Sequence, residues 1–543
     1  MKYRKVIKAN IVDIPNRDVY GAEIEVVGDR IQEIRKSSEK FESYILPGFI
    51  DAHIHIESSM LVPSEFARLA VSHGTVATVS DPHEIANVLG IDGVKYMIKN
   101  GNEVPFHFYF GASPCVPATP FETAGAELNV QDVEELLQMD EVKYLSEMMN
   151  WPGVLHQDQD VNAKIQLAKK YNKPVDGHAP GLMGEQAKKY IEAGISTDHE
   201  CFTKEEAIDK LKLGMKVQIR QGSAARNYEA LYGLIDEYYE AMMFCSDDKH
   251  PDDLQKGHIN ELVVESVRRG VDVFKVLQMA CINPIDHYNL EVGQLRVGDL
   301  ADFIEVNNLD EFNVMSVWVK GRKVSENGVS YIKSVPVQSV NKFRISEIQP
   351  EDIELRSSTK KVNVIEVLDG ELVTNKIQGN AFLKDGKLIS NIEEDVLKMV
   401  VINRYEQNKP SVAFIKNFGL KRGAIASSVA HDSHNIIAVG ADDDAIIRTV
   451  NMIIENKGGL SVVDGSLEKS LSLPVAGIMS DQPAESVAKK YHDLSLIAKG
   501  LGSSLRAPYM SLSFMALLVI PSLKLSDKGL FDGDKFEFTD VVI

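Results

Sequence analysis

The chain has 543 residues, too many for one hydrophobic core, so two to four domains are expected. Its 44% hydrophobic and 25% charged residues are ordinary for a globular protein. The formal net charge of -20 argues against a nucleic-acid or anionic-membrane partner, since either needs a basic footprint.

The stretch from Met1 to Ile7 has charges but no long apolar segment behind them, so no secretory signal is expected. No apolar run reaches the length of a membrane span. Residues 5–46 read as β-rich, with strand-like runs at 6–13, 21–27 and 28–34. They are too few for a domain and need a partner elsewhere. Next comes Pro47-Gly48-Phe49-Ile50-Asp51-Ala52-His53-Ile54-His55-Ile56-Glu57, which reads as a short buried strand. His53 and His55 share one face of it. Two imidazoles so placed can grip one divalent cation, or can simply be satisfied histidines on a half-buried strand.

From about 49 to 295, strands alternate with helices. Further strands are expected at 75–80, 106–110, 144–148, 174–178, 196–199, 216–220 and 242–247. Helices are expected at 64–74 (capped by Ser64), 91–100, 130–139, 161–171, 182–193, 204–213 and 228–239. Eight strands over about 250 residues predict a (β/α)8 barrel. Strands return at 300–306 and 316–321 and could complete the sheet begun at the N-terminus. Beyond about 340 lies a mixed region with a strand at 411–415 and a helix at 443–455. The expected fold class is α/β: a catalytic barrel at 49–293, a small β-sandwich-like domain from both flanks (1–48 plus 294–340), and a C-terminal α+β domain at 341–543.

Barrel chemistry sits at the C-terminal ends of the strands. There the sequence places His53 and His55, then Asp81, His83 and Glu84, then Glu147, His178, His199, Arg220 and the pair Asp247-Asp248. Any one of these has a bland structural reading. Four histidines and two carboxylates at one face point to metal. His53, His55 and Asp247 could hold one cation, and His178 and His199 a second. Glu147 could bridge them. Lys143, four residues earlier, could do so only if carboxylated, and Glu147 lies nearer the loop. Paired metals generate hydroxide near neutral pH, and Asp247 is the natural carboxylate to take the proton.

The carriers are PGFIDAHIHIESSM, VSDPHEIANVLG, DGHAPGL, STDHE, FCSDDKHPDDL and HDSHN, and the resemblance they carry covers essentially the whole chain. With them the sequence resembles the amidohydrolase superfamily and, within it, the adenine deaminase family. The first motif is superfamily-level; VSDPHEIANVLG and the C-terminal domain are specific. The resemblance implies hydrolytic deamination of adenine to hypoxanthine and ammonia by a metal-bound hydroxide at a two-metal site. It implies manganese or iron, and a glutamate bridge that Glu147 fits. It leaves open which of Asp247 and Asp248 is the ligand. Glu84 or His83 is then the candidate acid for a ring nitrogen, and Asp81, Glu122 and Arg220 are candidate substrate contacts. A cytoplasmic homo-oligomer, a dimer, is expected, with adenine as the small-molecule substrate.

Several local patterns compete. His55-Ile56-Glu57 spells the H-x-E of zinc nucleobase deaminases, but Pro114-Cys115-Val116-Pro117 lacks the required second cysteine. His83-Glu84 lacks the second histidine of H-E-x-x-H. Cys115, Cys201, Cys245 and Cys281 form no C-x-x-C pair and read as small buried hydrophobes in a reducing compartment. His431-Asp432-Ser433-His434 could bind another metal, lend groups to the active site, or be a polar loop. The rival functions are hydrolysis of a cyclic amide, such as a hydantoin or dihydropyrimidine ring, and a non-catalytic barrel scaffold. The scaffold reading predicts missing ligands, and none is missing.

Overall fold

The computed structural model describes residues 4–543. Met1, Lys2 and Tyr3, part of the stretch read as no secretory signal, lie outside them. Phe49–Ile54 (β1), Thr75–Ser80 (β2), His107–Ala112 (β3), Val142–Met148 (β4) and Val175–Gly177 (β5) form one parallel sheet. Thr197–Asp198 (β6), Lys216–Arg220 (β7) and Met242–Cys245 (β8) form a second.

Two seams close these sheets into a ring. Val175 bridges Ile195 just before β6, and Ile54 bridges Asp247 just after β8, both in parallel sense. At the second seam the Asp247 N–H donates to the His53 carbonyl at 2.9 Å, and the His55 N–H donates to the Asp247 carbonyl at 3.3 Å. Every residue of β1 and β2 is buried, as expected of strands covered on both faces. β5 and β6 are shorter than the sequence suggests. Their ladders stop before His178 and His199, which therefore sit on the mouth loops.

Two helices differ from expectation. The one expected to be capped by Ser64 is Pro63–Ala70, with Val62 at the cap. Proline suits the first helical position because its missing N–H would have no partner there. The helix expected over 228–239 breaks into Tyr228–Leu231, Tyr232–Leu234 and Ile235–Tyr238, where Gly233 weakens helical continuity.

The flanks of the barrel meet in one eight-stranded sheet. Tyr44–Pro47, which runs straight into β1, pairs with Phe303–Val306 in antiparallel register. Ile24, Val26, Ile45, Phe303 and Trp318 form the core there. A second eight-stranded sheet organises the C-terminal part and includes Leu397–Ile402, Ser411–Lys416, Ala424–Ser427 and Ile436–Gly440. Asp442 caps the helix Asp443–Asn456 by accepting from the Ala445 N–H at 2.8 Å. The largest apolar core is continuous from Val12 through the barrel to Met399, Leu473 and Leu530. The C-terminal part is thus packed onto the barrel mouth. No helix among the described residues is long and apolar enough to cross a membrane. All four cysteines are free and buried.

Candidate metal centre and active site

The alternation of β1 sends His53 and His55 to one face, and the β1–β8 seam brings Asp247 beside them. Asp247 has φ 54°, a left-handed conformation uncommon for a residue with a Cβ. Such strain persists where the surroundings over-determine it. Here both backbone polar groups of Asp247 are held by β1.

His53 Nε2 and His55 Nε2 lie 3.3 Å apart and face Asp247 Oδ1 at 3.6 and 3.2 Å. Glu147, at the end of β4, reaches both halves of the site. Its Oε1 is 3.2 Å from His55 Nε2; its Oε2 is 2.8 Å from His178 Nδ1 and 3.4 Å from His199 Nε2. One proton cannot satisfy two imidazole lone pairs and a carboxylate together. Divalent cations can, and a set of imidazole nitrogens and carboxylate oxygens is the donor chemistry they favour. The residues present fit divalent metal: His53, His55 and Asp247 converge, as do His53, Glu147 and His199, and His178 and His199 with Glu200.

The four imidazoles divide: burial opposes charge on His55, His178 and His199, but Glu147 and the neighbouring carboxylates outweigh it and raise all three, whereas His53 is shifted down. Burial, reinforced by the neighbouring His199, lowers the pKa of His53 and keeps it neutral. Burial works against ionising Glu147, but His178, His199 and His55 outweigh it and hold the carboxyl well below the usual range. Burial likewise opposes ionisation of Asp247, and Arg220, His53 and His55 overcome it.

The other residues singled out by sequence fall into distinct places. Arg220 is buried and forks between two carboxylates, with Nη1 2.5 Å from Asp247 Oδ2 and Nη2 3.2 Å from Glu200 Oε2. His83 Nδ1 is 3.1 Å from Asp81 Oδ2 and 3.3 Å from Glu147 Oε1, while its Nε2 is 3.4 Å from Glu84 Oε1 and 3.7 Å from Asp432 Oδ1. Asp81 sits behind it, also accepting from Ser113 Oγ at 2.7 Å, and does not reach the cavity wall. Glu122 is buried, accepts from Thr119 Oγ1 at 3.2 Å, and is also off the wall. Burial and the nearby Asp432 push its carboxyl well above the usual range. Both oxygens of Glu84 are taken, by His431 Nδ1 and His434 Nε2. Asp248 accepts from Ser58 Oγ at 2.5 Å, so Asp247 is the carboxylate facing the imidazoles. Lys143 lies at the opposite end of β4, on a separate cavity of about 810 Å³ with Asp140 and Lys173.

Sequence reasoning missed Glu200. Its Oε1 is 3.4 Å from His199 Nε2 and 3.8 Å from His178 Nδ1. The signal was present, since Glu200 directly follows His199 in STDHE. The cavity over the cluster is roofed by the C-terminal part, through Leu372, His431, Asp432, Phe514 and Leu517.

Two family models match the chain. The amidohydrolase family covers residues 44–324, and the adenine deaminase C-terminal domain covers residues 371–537. The chain is 54% identical to an adenine deaminase of Sulfurovum sp., over 98% of this chain and 99% of that one. It is 51% identical to adenine deaminases of Salinibacter ruber and Methanosarcina mazei, each over 98% of both chains.

Proposed function

The chain belongs to the adenine deaminase family of amidohydrolases, and from that premise we propose how its own residues deaminate adenine. The observation that carries the reading is the convergence of His53, His55, Glu147, His178, His199 and Asp247 at one barrel mouth. These six would hold two divalent cations. Manganese or iron is what the family resemblance implies, and a set of imidazoles and carboxylates is compatible with either. When bound, such ions supply Lewis acidity, lowering the pKa of water towards neutrality.

The overall change is balanced by water. Its oxygen forms the new bond to C6, the C6–amine bond breaks, one proton ends on N1 and the other leaves in ammonia. Asp247 takes the first proton from the attacking water and passes it to the departing amine. His83, which lines the cavity, is the candidate ring-nitrogen donor, and the second proton of the water, released as the C6 carbonyl forms, restores it. Burial disfavours its charged form, but Asp81 and Glu84 outweigh this and raise its pKa well above the ordinary value. Glu84, the alternative donor, has no free oxygen. Asp81 orients His83, Arg220 anchors Asp247, and Glu122 backs the loop that carries Asp432.

The three-part division at 49–293, the flanks, and 341–543 is supported by the shared flanking sheet and the separate C-terminal sheet. The free cysteines support a reducing, cytoplasmic setting. Exposed Phe382, Phe536 and Phe538 offer surface for a homodimer. The decisive experiment follows loss of the adenine absorbance band with protein loaded in turn with manganese, iron and zinc. Ammonia release from adenine and not from hydantoin or dihydropyrimidine rings is expected. The reverse preference would overturn the reading.

A further inference from the structure

The chain segment 430–434 enters the barrel mouth from the C-terminal sheet, and Glu84 holds it there through His431 and His434. Two buried atoms on this segment have no protein partner: Asp432 Oδ2 and His431 Nε2. Both residues line the cavity over the metal cluster. An unpaired buried polar atom is costly unless something meets it. The surroundings also fix where these atoms stand. His431 stacks on Phe514 with ring centres 4.7 Å apart and planes 14° from parallel. Lys524 Nζ, itself buried, donates to the carbonyls of Leu372 at 2.6 Å and Phe514 at 3.0 Å, tying down two further roof residues.

We propose that this segment reads the five-membered ring of the base: Asp432 accepts the imidazole-ring N–H of adenine, and His431 Nε2 meets a ring nitrogen. The inference rests on the adenine reading and deepens it. Asp432 Oδ1 is 3.7 Å from His83 Nε2, and the other nitrogen of that ring is 3.3 Å from Glu147 Oε1. One imidazole therefore separates the metal-bridging carboxylate from Asp432. A base with C6 at the cluster presents its five-membered ring on the far side. Leu372, Phe514 and Leu517 supply apolar contact for its faces. An ionised carboxylate only accepts, so it selects a ring that carries an N–H. A base substituted at N9, a nucleoside included, has no N–H to give and meets a buried carboxylate instead. The C-terminal segment, rather than the barrel, thus sets the preference for free base.

The test compares wild type, Asp432→Ala and the isosteric Asp432→Asn on adenine and on 9-methyladenine, which lacks any imidazole N–H. Metal content is measured on each protein. Wild type should prefer adenine in kcat/KM by at least about 100-fold. In Asp432→Ala the KM for adenine should rise by about 10- to 100-fold, as for a lost hydrogen bond to a charged group, with kcat changed only a few-fold. The preference over 9-methyladenine should shrink by a similar factor, with metal content unchanged. Asp432→Asn, which keeps the shape of the side chain, should fall between. An unchanged KM or an unchanged preference in a metal-replete variant overturns the proposal alone. So does loss of metal in step with activity, which would make Asp432 a ligand to a cation with His83 and Glu84. A metal-loaded wild type that releases no ammonia from adenine overturns the adenine reading beneath it as well.

Discussion

Glu84 and His434 stand 350 positions apart in the chain and are hydrogen-bonded to each other inside the barrel mouth. The other oxygen of Glu84 holds His431, so one barrel carboxylate fastens the C-terminal roof. Glu84→Gln keeps the shape and removes the charge. Breaking a buried charged pair costs about 3–5 kcal/mol, so the apparent melting temperature should drop clearly.

The pH dependence of that loss has a definite sign. Burial opposes ionisation of Glu84, but His431, His434 and His83 outweigh it and hold its pKa well below 4.5. Its contribution is therefore present above pH 4.5 and is lost as pH falls through the depressed folded value. Burial opposes protonation of His431, yet Glu84 raises it from 6.5 to about 9. That contribution is complete below pH 6.5 and fades as pH rises through about 9. The gap in melting temperature between wild type and Glu84→Gln should be widest between pH 4.5 and 6.5 and narrow towards pH 9. A gap that is flat with pH would mean the charge is not what holds the segment.

Glu147 touches His55, His83, His178 and His199, so it joins the two halves of the site. Glu147→Gln should lose metal and activity together, with activity down by at least about 100-fold. Elemental analysis alongside the ammonia assay reads both. Full occupancy at full rate would remove Glu147 as the bridge.

Lys143 gives the opposite expectation. It faces Asp140 and Lys173 around the far cavity, and a carboxylated lysine there could not reach His178 or His199. Lys143→Ala should keep its metal and its kcat/KM within about twofold, as surface-like changes usually do. A variant stripped of metal would restore the lysine bridge.

How far the sequence could be read follows from how each contact is encoded. His53 and His55 were legible because the two-residue period of a strand is local. Placing His178, His199 and Asp247 with them needed only the rule that barrel strands end on one face. Those strands showed as short apolar runs, and β1 and β2 are indeed buried throughout. The clamp on Glu84 was not legible, because no local pattern says which residues of a distant sheet lean over a barrel. It joins Glu84 to His431 and His434 and turns the ambiguous HDSHN run into a wall of the cavity. Glu200 was overlooked for a different reason: beside a stronger metal-ligand signal at His199, its own charge read as a neighbour. The break near Gly233 was legible in principle, since a glycine inside a helical run weakens it.

Arg220 offers a test of how Asp247, the proposed proton acceptor, is tuned. It is fully buried, and its guanidinium meets Asp247 Oδ2 at 2.5 Å while also forking onto Glu200. Burial alone would raise the pKa of Asp247; Arg220 is the largest influence in the other direction. In Arg220→Met that opposing charge is gone, so Asp247 protonates at a higher pH. The acid limb of kcat/KM should move to higher pH. The plateau should fall by about 100-fold, because two buried carboxylates lose their shared partner. Arg220→Lys restores a positive charge without the planar fork, and a single ammonium cannot span both carboxylates in the same geometry. It should bring the acid limb back towards its original position while leaving much of the plateau loss. If both variants shift the limb equally, the fork geometry rather than the charge controls Asp247. If neither shifts it, the limb belongs to another group, and Asp247 is not the carboxylate whose ionisation gates the reaction.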